Sequence, residues 1–312
     1  MEWTTFGWAG ITLEIPTDWE LSGLSGDEKE GYLRLDDAEI PRMELKWARS
    51  KRKNPDLNKV LDEYFKLVRK NYKRKSTTIH IQRNINLIKD EAFFEGRDVI
   101  TFSWKGDIRA TGVIFHCETC RRITILQIMG HLKENFRTTT VRILESVHDH
   151  PTEQHILWSA YNLNVEIPRR YRLEKQKLLS GYLLFTFADG SRKVSVERYG
   201  PAEITLKEHD LESWFRAQYA KAIRGYGFDI TANTDDGDEA LTLVGEQLRL
   251  TDRIPFTPVL AVDKVLRRKT FAAYLWRCHK SNRIYVVQAI AKRDAVKTAE
   301  EVANSIQCHE KM

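Results

Sequence analysis

Cys117 and Cys120 are the residues in this sequence whose type and spacing are best suited to chemistry. Two thiolates separated by two residues can bind one tetrahedral zinc ion from a single turn, as in a zinc knuckle. The flanking residues 109–117 and 122–129 have strand-like patterns, so we predict a hairpin turn that presents both sulfurs on one side. One knuckle supplies only half of a zinc site.

A second hairpin offers the other half. It carries Cys278 and His279, and it has Ser281 at the position that matches Cys120. If the two hairpins meet, four ligands close one structural zinc site: Cys117, Cys120, Cys278 and His279. In the alternative interpretation the cysteines are reduced and only pack, and the chain requires no cofactor. A redox pair is disfavoured, because redox CxxC motifs usually open a helix.

Three histidines form another group of candidate ligands: His148, His150 and His155. Cys308 and His309 lie in the matching place near the end of the chain. Imidazoles that lie close together can bind a transition metal or respond to pH. We interpret them instead as ordinary exposed side chains of a polar linker, since most such residues lie at the surface.

Catalytic motifs are missing from the sequence. It contains no GxSxG, GxxxxGK[ST], GxGxxG or HExxH pattern. The acidic stretch 234–239 is similar to a calcium loop, but Ala232 stands where an EF-hand needs a carboxylate, which favours a solvated hairpin turn. We therefore predict a protein that is not an enzyme.

Positive charge is concentrated between Lys51 and Lys75, where ten basic residues face three acidic ones, although the whole chain carries only +6. Such a face can contact the phosphates of nucleic acid or another polyanion. The candidate contacts are Lys51, Arg52, Lys53, Lys66, Arg69, Lys70, Lys73, Arg74 and Lys75. Alternatively, these residues complement a helix dipole and form a solvated face.

Trp3 and Trp8 precede the first repeated element and are candidates for an exposed contact surface with a protein partner. The alternative is that they cover the edge of the first core.

The elements that position these residues occur in two copies. The segment ITLEIPTDWEL, residues 11–21, matches LNVEIPRRYRL, residues 163–173. Four further matches follow in the same order and include HCETCRRITILQI with RCHKSNRIYVVQA, and VRILESVHDH with EEVANSIQCH. The long spacing indicates a duplicated domain. We predict modules at 1–148 and 157–312, joined by a linker at 149–156.

Each module is predicted to be α+β. In the first we expect strands near 10–15, 31–35, 42–48, 79–88, 97–104, 109–117 and 122–129, and helices at about 56–74 and 136–147. The second repeats this order with a longer insertion around 233–262. The expected fold is an antiparallel sheet covered by helices in each copy.

This pattern resembles the PsbP family and its α/β/α-sandwich relatives, which include the Mog proteins. The resemblance rests on Ile15-Pro-x-x-Trp19 and Ile167-Pro-x-x-Tyr171, the long helix, the Glu95-Gly96-Arg97 turn, the late hairpin and the closing helix. It implies an α/β/α sandwich and a role in binding other proteins, as an assembly factor or chaperone. It transfers no functional residue to this chain.

Composition fits a folded, cytoplasmic protein: 42% of residues are hydrophobic, 30% are charged, and we find neither a membrane-spanning run nor a signal peptide. The leading hypothesis is a non-catalytic assembly factor, chaperone or scaffold that binds a protein. One alternative is nucleic-acid binding through the Lys51–Lys75 face. The other is an enzyme with an inter-domain site near the cysteine hairpins.

Overall fold

The computed structural model describes residues 1–73, 78–151, 153–235, 238–248 and 268–308. These residues form two compact units, Met1–Asn162 and Leu163–Met312. Each unit is built around its own seven-stranded antiparallel sheet.

The first unit begins with a hairpin and continues into its sheet. Its strands are β1 (Trp3–Trp8), β2 (Ile11–Pro16), β3 (Glu20–Gly26), β4 (Glu30–Asp36), β5 (Pro41–Arg49), β6 (His80–Arg83), β7 (Arg97–Lys105), β8 (Arg109–Cys117), β9 (Arg122–Gly130) and β10 (His155–Ala160). Its helices are α1 (Leu57–Lys73) and α2 (Arg137–Glu145), with a 3-10 turn at Glu91–Phe94.

Helix α1 covers one face of the first sheet. The Asp56 side chain accepts a hydrogen bond from the backbone N–H of Lys59 and so caps the helix start. Apolar residues at three- and four-residue steps then face the sheet. The resulting core contains Leu57, Leu61, Tyr64, Phe65 and Val68 from α1, packed with Phe102, Trp104, Ile114 and Met129 from the sheet.

The second unit repeats this layout. Its strands are β11 (Leu163–Pro168), β12 (Arg172–Leu179), β13 (Tyr182–Asp189), β14 (Arg192–Tyr199), β15 (Tyr226–Asp235), β16 (Asp238–Gln247), β17 (Thr270–Cys278) and β18 (Arg283–Ala291). Its helices are α3 (Ala202–Leu206), α4 (Leu211–Gln218), α5 (Ala220–Ile223) and α6 (Ala295–Asn304).

The two sheets have the same strand order. The first runs β3-β4-β5-β9-β8-β7-β6 and the second runs β12-β13-β14-β18-β17-β16-β15. In each sheet, the first three strands pair in turn, and the strand of that sheet that comes last in the chain (β9 or β18) lies beside the third. The predicted class, tandem α+β units with antiparallel sheets, is therefore confirmed at this level. The finer likeness to a PsbP-type sandwich stays a prediction.

Most predicted elements of the first module are present within a few residues. The strands expected near the ranges given above do not include β1 or β3. In the second unit, the predicted insertion at 233–262 includes most of the β15–β16 hairpin, whose paired ends are Asp235 and Asp238. The remainder of that insertion, from 249 onward, lies outside the described residues. Among the described residues, no helix is long and apolar enough to cross a membrane.

Arg42 joins two loops of the first unit. Its guanidinium donates to both carboxylate oxygens of Glu134, each at 2.8 Å, and it also pairs with Asp37. Burial works against ionisation of both carboxyls, but backbone N–H groups and Arg42 together hold the pKa of Asp37 and of Glu134 below their usual values. These ions therefore stabilise the folded unit most when both carboxyls are charged.

Replacing Arg42 with Met is expected to lower the free energy of unfolding by roughly 1.5–3 kcal/mol at pH 7, since two carboxylates lose a charged donor. Carboxyls with depressed folded pKa values contribute stability above their unfolded pKa, near 4, and lose it as pH falls through the folded pKa. The difference between wild type and Arg42→Met should thus shrink below about pH 4. Urea unfolding at pH 7 and pH 3 measures it.

The control is Lys66→Met, because Lys66 of the same unit forms an exposed pair with Glu63 at 2.6 Å. Exposed pairs contribute at most about 1 kcal/mol, so this variant should differ little from wild type at either pH. Equal losses in the two variants would contradict the role assigned to the Arg42 network.

Candidate metal centre

The β8–β9 hairpin places two thiols on the same side of the first unit. Strand β8 ends at Cys117, and the chain turns back before β9 begins at Arg122. The turn is closed by the N–H of Arg121, which donates to the Cys117 carbonyl at 2.9 Å, and Arg121 has a φ of 56°. Cys117 is buried and Cys120 is half-buried. This part of the sequence-based prediction, a turn that brings both sulfurs together, is what the structure contains.

The segment after α2 supplies the other donors. His148 forms two backbone hydrogen bonds with Thr12 of β2, both 2.9 Å long. This isolated bridge holds the next two residues, Asp149 and His150, against the cysteine turn. The Asp149 side chain is fully buried, and His150 is half-buried. A backbone clamp of this kind fixes its side chains more firmly than a free linker would.

The four side chains form one compact cluster: Cys117, Cys120, Asp149 and His150. Their ligand atoms all lie within 4.8 Å of one another. The Cys120 Sγ lies 3.1 Å from Asp149 Oδ2, and the Cys117 Sγ lies 3.6 Å from His150 Nδ1. His150 Nδ1 is 3.4 Å from Asp149 Oδ2.

These distances fit a tetrahedral ion. Zinc binds sulfur at about 2.3 Å and nitrogen or oxygen at about 2.0–2.2 Å, so neighbouring donors in such a site lie roughly 3.3–3.8 Å apart. The separations of 3.1, 3.4 and 3.6 Å are close to that range. Two sulfurs, one imidazole nitrogen and one carboxylate oxygen also form a donor set that suits zinc better than magnesium or calcium. The cluster can therefore hold a metal ion.

Arg97 fixes the carboxylate of Asp149. Its Nη2 donates to Asp149 Oδ1 at 2.7 Å and to the Val147 carbonyl at 3.0 Å. Burial opposes the charge of Asp149, but hydrogen bonds from the two thiols and the charge of Arg97 lower its pKa to about 2. Asp149 is thus ionised near neutral pH. One of its oxygens is bound by arginine, while the other points toward the thiols.

The pKa of the Cys120 thiol is shifted in the opposite direction from that of Asp149. Burial and the hydrogen bond to the Asp149 carboxylate raise the pKa of Cys120 to about 12. Without a metal, the group is therefore a protonated thiol and a poor nucleophile. A bound divalent cation would displace this proton, because cysteine ligates metals as the thiolate.

Arg122 ties the cluster to two other loops of the first unit. Its Nη1 donates to the Asp149 carbonyl at 2.9 Å, and its Nη2 donates to the carbonyls of Ala9 and Glu28, both at 3.0 Å. Desolvation lowers the pKa of Arg122, although the neighbouring acidic groups oppose that shift. The guanidinium holds three separate segments together behind the site.

The other two predicted ligands belong to the second unit. Cys278 is fully buried at the end of β17, and the N–H of His279 donates to Asp238 Oδ1 at 2.9 Å. Their participation in a site with Cys117 and Cys120 stays a prediction. Burial raises the pKa of the Cys308 thiol to about 11, and a hydrogen bond with Cys278 adds to the rise. In the internal repeat, Cys278 corresponds to Cys117 and Cys308 corresponds to Asp149. The second unit therefore has a hydrogen-bonded pair of thiols at the positions where the first unit has Cys117 and Asp149. His309 lies outside the described residues.

The predicted basic face is only partly described. Lys51, Arg52 and Lys53 are exposed in the loop before α1, and Lys66, Arg69 and Lys70 are exposed on the helix. Lys66 pairs with Glu63 at 2.6 Å. Lys73 ends α1, while Arg74 and Lys75 lie outside the described residues. Contact with a polyanion stays a prediction.

The two predicted contact tryptophans lie in β1 and are packed. Trp8 is only 4% exposed and packs edge-on against Trp158, with ring centroids 5.1 Å apart. Trp3 is half-buried under the guanidinium of Arg142, 4.1 Å from its ring centroid. Trp8 is thus a core residue of the first unit, as the alternative interpretation held, and Trp3 retains only part of its surface for contact with a partner.

Sequence reasoning missed Asp149 as a ligand. It named His150 as a candidate ligand, but favoured its interpretation as an exposed side chain of a polar linker. The signal that would have found them is the internal repeat. It aligns Asp149 with Cys308 and His150 with His309, so donor-type side chains recur at both positions. The same alignment pairs Cys117 with Cys278.

Comparisons with known proteins give no family for this chain. No protein-family model and no curated protein matches it. One similar solved structure is PA94, a protein of unknown function from Pseudomonas aeruginosa. Its sequence is 12% identical to this chain, the matched region covers 47% of this chain and 90% of PA94, and the TM-score is 0.25. The immunity protein TplEi of T6SS, from the same organism, is 8% identical over 98% of this chain and 97% of its own, with a TM-score of 0.32. These scores are too low for either likeness to support a functional conclusion.

Proposed function

We propose that this chain is a non-catalytic binding protein whose first unit carries a structural zinc ion on Cys117, Cys120, Asp149 and His150. The observation that carries the proposal is the close approach of these four ligand atoms, all within 4.8 Å of one another. The ion would fasten the segment after α2 to the β8–β9 turn.

The number of protein ligands favours a structural role over a catalytic one. Catalytic zinc sites usually keep one coordination position for water or substrate, whereas structural sites are closed by four protein ligands. Here four donors are already in place, and Asp149 and Cys117 are buried. A closed site supplies folding energy and leaves no position at which the metal could activate a water.

The binding role is supported by the duplicated architecture and by the absence of catalytic motifs in the sequence. A chain with two related units can contact an extended or repeated partner at two places, which raises avidity without any new contact. The partner we propose is a protein, and the role is that of an assembly factor, chaperone or scaffold. This agrees with what the resemblance to PsbP-type proteins implies.

A pull-down with the tagged full chain tests this function. In buffer with micromolar zinc, we expect a discrete protein to be retained from a lysate of the native host and to survive a wash at high salt. The double variant Cys117→Ser/Cys120→Ser should retain less of it, because the ion orders the first unit. The matched bait Cys278→Ser/Cys308→Ser, which also loses two thiols, should retain as much as wild type.

Two outcomes would contradict the proposal. In the first, the bait retains only nucleic acid and loses it as the salt concentration rises. This result would indicate polyanion binding through the basic face, since counterion release makes such binding salt-dependent. Retention of no protein by any bait would remove the scaffold role and leave the metal site as a feature of stability alone.

A further inference from the structure

A cavity of about 510 Å³ opens in the first unit between α1 and the sheet, away from the cysteine cluster. Its apolar wall includes Tyr64, Val68 and Met129, and Leu67 of α1 stands at its edge with 56% of its surface exposed. A cavity of this size is typical of small-molecule sites, which combine apolar walls with a few fixed polar groups.

The polar groups in this cavity are held in one arrangement by their own hydrogen bonds. Trp104 Nε1 donates to Gln127 Oε1 at 2.9 Å, which fixes the amide so that Nε2 donates to Glu44 at 2.9 Å. The hydroxyl of Tyr32 donates to the other oxygen of Glu44 at 2.8 Å. Each oxygen of Glu44 therefore already accepts one hydrogen bond from the protein, and these bonds fix the orientation of the carboxylate in the cavity wall.

Lys46 is the other charged group in the cavity wall. Its ammonium lies 5.4 Å from the ring centroid of Tyr32 and 5.0 Å from that of Tyr64. Among the described residues it has these two rings and no carboxylate within ion-pair distance. Aromatic faces hold an ammonium by cation–π attraction but leave its positive charge uncompensated. An anion entering the cavity would meet a positioned cation.

In the second unit, aromatic side chains occupy the place that corresponds to Lys46. The register pairs Tyr32 with Lys46 in the first sheet and Tyr182 with Tyr199 in the second. Tyr199 packs against Trp214 at 5.1 Å, and its hydroxyl lies 3.0 Å from that of Tyr219. Glu197 and Gln288 repeat the bond of Glu44 and Gln127 at 3.1 Å. The Glu–Gln hydrogen bond is thus common to both units. The second unit has Tyr199 at the position where the first has Lys46.

We propose that the cavity of the first unit binds a small hydrophobic monocarboxylate, with the carboxylate on Lys46 and the hydrocarbon against Tyr64, Val68 and Met129. The uncompensated ammonium selects for a single negative charge, and the apolar wall selects for an uncharged chain or ring. Glu44, already hydrogen-bonded on both oxygens, orients Tyr32 and Gln127 and disfavours a second negative charge on the ligand. This site is independent of the metal centre.

The test compares three probes of one chain length on the full-length protein by calorimetry: decanoate, decan-1-ol and decylamine. We expect decanoate to bind one per chain and the other two to bind at least tenfold more weakly. Lys46→Gln should weaken decanoate at least tenfold, and Lys46→Arg should retain most of the affinity because it retains the charge. Lys46→Tyr introduces the residue of the second unit and should abolish binding while preserving the fold, as checked by circular dichroism.

Three results would overturn the proposal. Decylamine binding more tightly than decanoate would assign the site to a cation on Glu44. Equal binding of all three probes, or of decanoate by wild type and Lys46→Gln, would show an unselective apolar cavity. No binding of decanoate up to 1 mM would show that the cavity does not take this class of ligand. Because these variants leave all four cysteine-cluster residues intact, their results do not depend on the metal proposal.

Discussion

Purified full-length protein is expected to bind one zinc ion per chain, and Cys117→Ser/Cys120→Ser is expected to bind none. A ligand that binds only the folded state stabilises it by about 4.1 kcal/mol at a thousandfold excess over its dissociation constant. For a unit of this size, that gain corresponds to a rise of roughly 8–16 °C in melting temperature. Zinc should therefore raise the melting transition of wild type by this amount and leave that of the double variant unchanged. Elemental analysis and calorimetry measure the two effects.

Two further variants distinguish the ligand set of the structure from the set expected from the hairpins alone. His150→Ala removes the imidazole of the cluster and should lower zinc affinity at least tenfold. Cys278→Ser/His279→Ala removes the predicted ligands of the second unit and should leave both stoichiometry and affinity unchanged. The reverse pattern would establish the four-ligand set of Cys117, Cys120, Cys278 and His279. A wild-type protein that binds no zinc would remove the metal proposal altogether.

The fold was largely predictable where one local pattern decides it. The alternation in residues 11–15 and the helical spacing in 57–68 each match the element that forms. Strand β1 was missed because its turn has an unusual composition. Ala9 and Gly10 have φ values of 52° and 79°, and the first of these positions usually carries Asn, Asp or Gly in hairpins. With Ala9 there, the turn lacks the Asn-Gly or Asp-Gly pair that marks such hairpins in a sequence.

The metal centre was only half predictable for a related reason. The CxxC pair is local, so spacing and strand pattern were sufficient to bring Cys117 and Cys120 together. Asp149 joins them through contacts between residues far apart in the chain, the Thr12–His148 bridge and the Arg97 pair at 2.7 Å. Nothing in the residues around 149 indicates those contacts, and only the repeat marks the position as special. Long-range pairing of this kind appears once the fold is known.

Arg122 connects the segment that carries the metal ligand Asp149 to two turns of the first unit. Replacing it with Met is expected to lower the free energy of unfolding of the first unit by roughly 3–5 kcal/mol, because three backbone carbonyls lose charged donors at about 1–1.5 kcal/mol or more each. Those carbonyls belong to Ala9, Glu28 and Asp149, in three different segments. The β1–β2 turn, the β3–β4 turn and the ligand-bearing segment should therefore loosen together. Urea unfolding followed by tryptophan fluorescence measures the loss.

The neighbouring residue provides the control. Arg121 is exposed, so Arg121→Ala should change stability by no more than about 0.5 kcal/mol. Arg122→Lys keeps the charge but not the forked geometry that reaches three acceptors, and its loss should be intermediate. If the segment bearing Asp149 and His150 is held by Arg122, then Arg122→Met should also weaken zinc binding, although Arg122 is not a ligand. Zinc affinity equal to wild type in Arg122→Met would show that Thr12 and Arg97 alone position the site.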